Sequence, residues 1–165
     1  MSENLKKLTG KNKNDYEAVS SHLINDKDIE LFKELVESDG YLFDFVKQNV
    51  SERLGKVINE NNYKNLLEFL KFYSPSYEDV IVTSLVKYAD EDLTDEMLNK
   101  LENGTAEEKA YAARYFAYIQ DPLALEALRS NCHSENEFLV ANCASTLGII
   151  NDKEAYNVAI TGLNN

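Results

Sequence analysis

The sequence predicts an all-α fold: a right-handed solenoid of about five helical-pair repeats. The first observation is a pattern that recurs every 31 residues. Positions 54, 85, 116 and 147 hold Leu54, Leu85, Phe116 and Leu147, and three residues on stand Val57, Tyr88, Ile119 and Ile150. The second is that Asp or Asn keeps the break between helices, at Asn59, Asp90, Asp121 and Asp152. The third is that the following helix repeats an apolar place, at Leu66, Met97, Leu128 and Ala159. One register earlier, Val19, Leu23, Asp28 and Leu35 match Val50, Leu54, Asn59 and Leu66. Recurrence of this length is the mark of stacked helical units, each burying its apolar face against the next.

The elements follow in order. Residues 1–14 are polar, with Lys6, Lys7, Lys11 and Lys13 against Glu3, and are expected to form a flexible tail. Residues 15–165 are expected to form a single solenoid domain. Its first helix, 15–24, places Tyr16, Val19 and Leu23 on one face and acts as a cap. Helix 28–37 ends before Gly40, and helix 41–58 follows, about one turn longer than its counterparts. Residues 62–73 form a short helix ended by Pro75, and Ser76 is placed to cap 77–89. Thr94 is expected to cap a short helix to 102, with Gly104 ending it. Thr105-x-x-Glu108 is a capping box for the helix to 119, and Pro122 sits where a first helical residue needs no N–H. Ser134-x-x-Glu137 opens a helix to about 150, and a last short helix is expected at 153–163. Its outer flank would lie open, an edge that could self-associate, but a monomer is the expectation, because the charge of the chain opposes dimers.

Composition narrows the classes of function. There are 29 acids against 17 bases, a formal charge of −12. That opposes binding to nucleic-acid backbones and anionic membranes, and suits a protein partner, a basic one in particular. Two cysteines give no disulfide framework, and no N-terminal apolar segment or membrane-length run occurs, so a cytoplasmic protein is expected. Acid sorts by element: residues 26–39 carry six acids and two lysines, and residues 90–102 six acids and one lysine. Helix 41–58 is nearly balanced, with Lys47, Arg53 and Lys56 against Asp44 and Glu52. Asp90, Glu91, Asp92, Asp95 and Glu96 form an acidic patch that reads as a solvated face or a dock for a basic partner.

Residues 117–128, AYIQDPLALEAL, and 148–155, GIINDKEA, resemble HEAT-like repeats of the phycobilisome-lyase type. That family's run is an Ala-rich helix, Leu-Gly, an aliphatic residue, Asp-Pro and a short Ala/Leu-rich helix. Leu147-Gly148 and Leu54-Gly55 match Leu-Gly, Asp121-Pro122 matches Asp-Pro, and Ala112, Ala113, Cys143 and Ala144 match the alanine places. The match covers 105–163; over 19–89 only the spacing follows. The resemblance implies that the long helix lines a concave side and the short helix a convex one.

Chemistry-bearing motifs are sparse. Cys132 and Cys143 fall in apolar places of the register and read as buried, inert thiols. Cys132, His133 and Cys143 lack zinc-site spacing. Asp90-Glu91-Asp92 opens like a calcium loop, but Asp95 and Leu101 stand at its sixth and twelfth places, where Gly and Glu are needed. No phosphate-binding, dinucleotide or hydrolase motif occurs. The expectation is no catalytic residue, no metal and no cofactor. The expected function is a non-enzymatic scaffold for protein–protein interaction, binding on its long-helix surface. Arg53, Lys56, Lys87, Tyr111, Arg114, Tyr115 and Tyr118 are the candidate contacts, tyrosine being favoured at binding surfaces. An alternative is an acidic immunity- or antitoxin-like protein that sequesters a basic toxin or nuclease. Another, from the resemblance alone, is an auxiliary bilin lyase or chromophore-handling factor. A base-excision glycosylase is opposed by the charge and the absence of Trp.

Overall fold

Helices built on the expected breaks make up the molecule. The structure, a computed structural model, describes residues 1–150 together with Ile160 and Thr161. Among the described residues every regular element is a helix. Contacts divide the chain into two compact units, Met1–Tyr88 and Ala89–Asn165.

The first unit begins with a helix where a tail was expected. Residues 1–14 contain α1 (Glu3–Thr9) and the start of α2 (Lys13–Asn25). The Ser2 side chain caps α1 by accepting from the Leu5 N–H, and Leu5 and Leu8, one turn apart, are buried. Two leucines suffice to seat so short a helix because α2, α3 and α4 all meet it. The Tyr16 hydroxyl donates to the Leu8 carbonyl at 3.0 Å, joining α1 to α2.

Next come α3 (Ile29–Glu37), capped by Asp28, and α4 (Tyr41–Val57), entered through Gly40 at φ 105°. The buried Lys47 ammonium donates to the Val36 carbonyl at 3.2 Å and so caps the C-terminal end of α3, where the helix dipole favours a cation. A 3-10 helix follows over Tyr63–Lys71, where an ordinary short helix was expected. Its apolar residues at 63, 66 and 69, and at 67 and 70, are three apart and suit threefold winding as well as α. Then α5 (Pro75–Lys87) starts on Pro75 itself, with Ser76 inside it and not its cap. In this unit α2, α4 and α5 lie side by side, and α3 packs on the 3-10 helix. Phe32 sits at the centre, its ring edge-on to Phe69, Phe72 and Tyr77.

The second unit has α6 (Glu91–Asn103), α7 (Ala106–Ile119), a 3-10 turn at Pro122–Ala124, α8 (Leu125–Asn131) and α9 (Glu137–Ile149). α6 starts earlier than expected: the Asp90 side chain accepts from the Leu93 N–H, and Thr94 lies inside the helix. Likewise Asn136, not Ser134, caps α9; the Ser134 hydroxyl accepts from the Asn136 N–H. The capping box at Thr105 and Glu108 is formed as expected. α7 packs along α9 and α6 touches α8, while Ala112, Ala113, Cys143 and Ala144 are all buried. Small residues let the helices approach closely enough for the Thr146 hydroxyl to reach the Ala113 carbonyl at 2.7 Å. Apart from Ile160 and Thr161, the helix expected at 153–163 lies outside the described residues.

At Gly104 a close approach fixes the residue. A Cβ there would stand 2.5 Å from the Lys100 carbonyl oxygen and 3.0 Å from Glu108 Cβ. Gly104→Ala should therefore cost about 1–3 kcal/mol, the usual range for overpacking, read as a lower urea midpoint; an unchanged midpoint would show that the turn opens at no cost.

Candidate functional site

The seven candidate contacts separate by element and by burial. On α4, Arg53 lies over the Tyr16 ring of α2, with its guanidinium carbon 5.8 Å from the ring centre. Its side chain is 12% exposed, and among the described residues its Nε makes no hydrogen bond. One turn on, Lys56 is exposed and pairs with Glu52 at 3.0 Å. Lys87, at the end of α5, stands 5.5 Å from the ring centre of Tyr88, which stacks on Tyr63.

On α7 the tyrosines do not act as a set. Tyr111 and Tyr115 are fully buried, which corrects their assignment as partner contacts. The reason is that α7 is covered on several sides, by α6 and by α9. Tyr115 exchanges a hydrogen bond with the Thr94 hydroxyl of α6 at 2.9 Å and meets Phe116 edge-on; burial raises its phenol pKa. Tyr118, near the helix end, is 44% exposed, with the Arg114 guanidinium 5.8 Å from its ring centre. Asp90, Glu91, Asp92, Asp95 and Glu96 are all exposed. Asp90 caps α6, and Glu91 and Asp92 lie in its first turn, where the dipole favours acids, so three of the five serve the helix itself.

Residues outside the expected set complete the picture in the first unit. Tyr41, Leu42 and Phe45, on the first turns of α4, are exposed, Tyr41 at 90%. The Lys11 ammonium, in the turn between α1 and α2, lies 5.4 Å from the Phe45 ring centre. Reading residues 1–14 as a tail concealed this contact; the apolar pair Leu5 and Leu8 behind a Ser2 cap was the available signal.

Titratable groups elsewhere have local roles. His22 bridges Asp26, 2.8 Å from Nδ1, and Asp28, 2.7 Å from Nε2, across the turn from α2 to α3. The hydrogen bond with Asp28, then the charges of both carboxylates, raise its pKa above 6.5. A raised folded-state value stabilises below the ordinary value and is lost as pH rises through the raised one. Wild-type melting temperature should thus fall between about pH 6 and about pH 8.5 by more than that of His22→Asn; parallel curves would remove the clip from the account. Cys132 and Cys143 are both buried, and neither is in a disulfide. The hydrogen bond with Cys132, together with burial, pushes the Cys143 thiol far above its ordinary range.

Among the described residues no group of three or more His, Cys, Asp or Glu side chains is placed to hold a metal, and no helix is long and apolar enough to cross a membrane. A surface depression of about 330 Å³ runs along α3 beside Ser2 and Asn4, but Leu31 is its one apolar lining residue, unlike the walls of a small-molecule site. Comparisons with protein-family models, curated proteins and solved structures give no match.

Proposed function

We propose that this chain is a HEAT-like helical-repeat scaffold that binds a protein partner on its long-helix surface and catalyses no reaction. The observation that carries this reading is that the 31-residue register is also a register of burial. Val19, Val50, Leu23, Leu54, Leu85, Phe116 and Leu147 are all buried, as are Leu35, Leu66, Met97 and Leu128. Hydrogen bonds from Ser20 to Val50, Asn131 to Leu101 and Thr146 to Ala113 join residues 30, 30 and 33 apart, about one period. Within each unit long helices pack on long ones, as a right-handed solenoid requires. Such folds present an extended surface and serve binding in many contexts. A pull-down from native lysate tests it. A partner retained by the wild type should be lost with Lys56→Glu plus Arg114→Glu at unchanged helicity; retention by that variant would remove the long-helix surface from the account.

The exposed carboxylates of α6 support a second reading, the acidic immunity-like protein. Neutralising Asp90, Glu91, Asp92, Asp95 and Glu96 to their amides or Ala should then abolish capture of a basic partner and the fall of its association rate with salt.

A further inference from the structure

We propose that the α2–α4 face of the first unit docks an acidic peptide segment of a partner protein. The segment's apolar side chains would cover Tyr41, Leu42 and Phe45, and its carboxylates would meet Lys11, Lys13, Arg53 and Lys56. This rests on the scaffold reading and adds the chemistry of the partner.

The face is continuous in its contacts. Lys11 lies over Phe45, Phe45 meets the edge of the Tyr16 ring at 6.4 Å, and Arg53 lies over Tyr16. Arg53 Nη1 stands 3.7 Å from Glu52, beyond hydrogen-bond reach, and Lys56 holds the same carboxylate at 3.0 Å. Lys56 first, then Arg53 and Lys13, hold the Glu52 carboxyl below its usual range, which places three cations around one acid; Glu17 on α2 and Asp44 on α4 are exposed acids of the same two helices. Glu52 does not fill the fork of Arg53, a donor set shaped for carboxylate.

Charge names the occupant. The protein as a whole carries −12, yet here four cations, Lys11, Lys13, Arg53 and Lys56, stand beside exposed aromatic surface, against the exposed acids Glu17, Asp44 and Glu52. A basic segment would be repelled by this face, and a nucleic acid by the remainder of the molecule. A solvated face alone would not set Tyr41 at 90% exposure next to Leu42 and Phe45. An acidic segment with aliphatic or aromatic residues at helical spacing satisfies both features.

The test is fluorescence anisotropy with the full chain and three fluorescein-labelled probes: a Glu/Asp-rich peptide carrying Leu and Phe three and four residues apart, the same peptide with Lys for every acid, and a twelve-nucleotide oligothymidylate, lengths of about 12 being enough to span a few helical turns. The acidic peptide should bind about tenfold or more tighter than the other two, and weaken with salt. K11E/K13E/K56E, all surface changes, should weaken it about tenfold at unchanged circular dichroism. Tyr41→Ser, which leaves every charge in place, should weaken it by a smaller factor. Equal binding of the lysine peptide, tighter binding of the oligonucleotide, or acidic-peptide affinity unmoved by both variants overturns the proposal. If only the lysine peptide binds, and loses affinity when the α6 acids are neutralised, this inference falls while the scaffold reading stands. If no probe binds and the pull-down retains nothing, both fall.

Discussion

Replacing Phe32 by alanine should cost about 3–5 kcal/mol of folding free energy, the range for deleting a fully buried aromatic ring. The ring is inaccessible to solvent and lies edge-on to Phe69 at 4.9 Å, Tyr77 at 5.2 Å and Phe72 at 6.4 Å. These partners come from the 3-10 helix, the residue after it and α5, so the ring joins three successive segments through one side chain. Phe32→Leu keeps most of the volume and loses the ring geometry, worth about 0.5–1.5 kcal/mol per aromatic pair beyond area. Urea unfolding should place the leucine variant well above the alanine one, with the slope against denaturant unchanged in both. A midpoint shift under about 1 kcal/mol for Phe32→Ala would mean that α3 does not depend on this contact.

Leu128→Ala should cost about 2–5 kcal/mol, toward the upper end of the range for buried leucine. α8 has only seven residues, and its buried ones are Ala127, Leu128 and Asn131. Leu128 is thus the one large apolar anchor of a helix too short to persist alone. Asn131, one turn away, donates to the Leu101 and Ala127 carbonyls, both at 2.9 Å, so loosening α8 also releases that bridge to α6. Amide exchange in α8 should quicken before exchange in α7 does. Equal protection of the two helices in the variant would show that Asn131 and the Pro122 turn hold α8 without its leucine.

The recurring apolar places were legible because burial leaves a periodic trace: Leu54, Leu85, Phe116 and Leu147 are inside, and Met97 and Leu128 with them. Gly104 and the Thr105 capping box announced a break and a start by local chemistry alone. What the sequence did not disclose depended on neighbours distant in the chain. Tyr111 and Tyr115 look like surface tyrosines until α6 and α9 cover them. Ser134 and Thr94 resemble caps, but Asn136 and Asp90 take those places, and a hydroxyl outside its cap finds another acceptor or donor. The short apolar run at 63–70 fits two windings equally, and only packing chose the tighter one. At the N-terminus four lysines outweighed two leucines to the eye; burial of Leu5 and Leu8 reversed that order and brought Lys11 to Phe45.

The two thiols give the second unit a chemical clock. The hydrogen bond with Cys132 and burial disfavour the Cys143 thiolate, and both residues are buried, Cys132 at the end of α8 and Cys143 within α9. A disulfide reagent in solution therefore reacts through opened molecules: its rate follows the open population when reclosing outpaces the thiol reaction, and the opening rate itself when it does not. Since Cys132 and Cys143 are the chain's two cysteines, the colour released reports on the opening of that one region, with no label to attach and no residue to change.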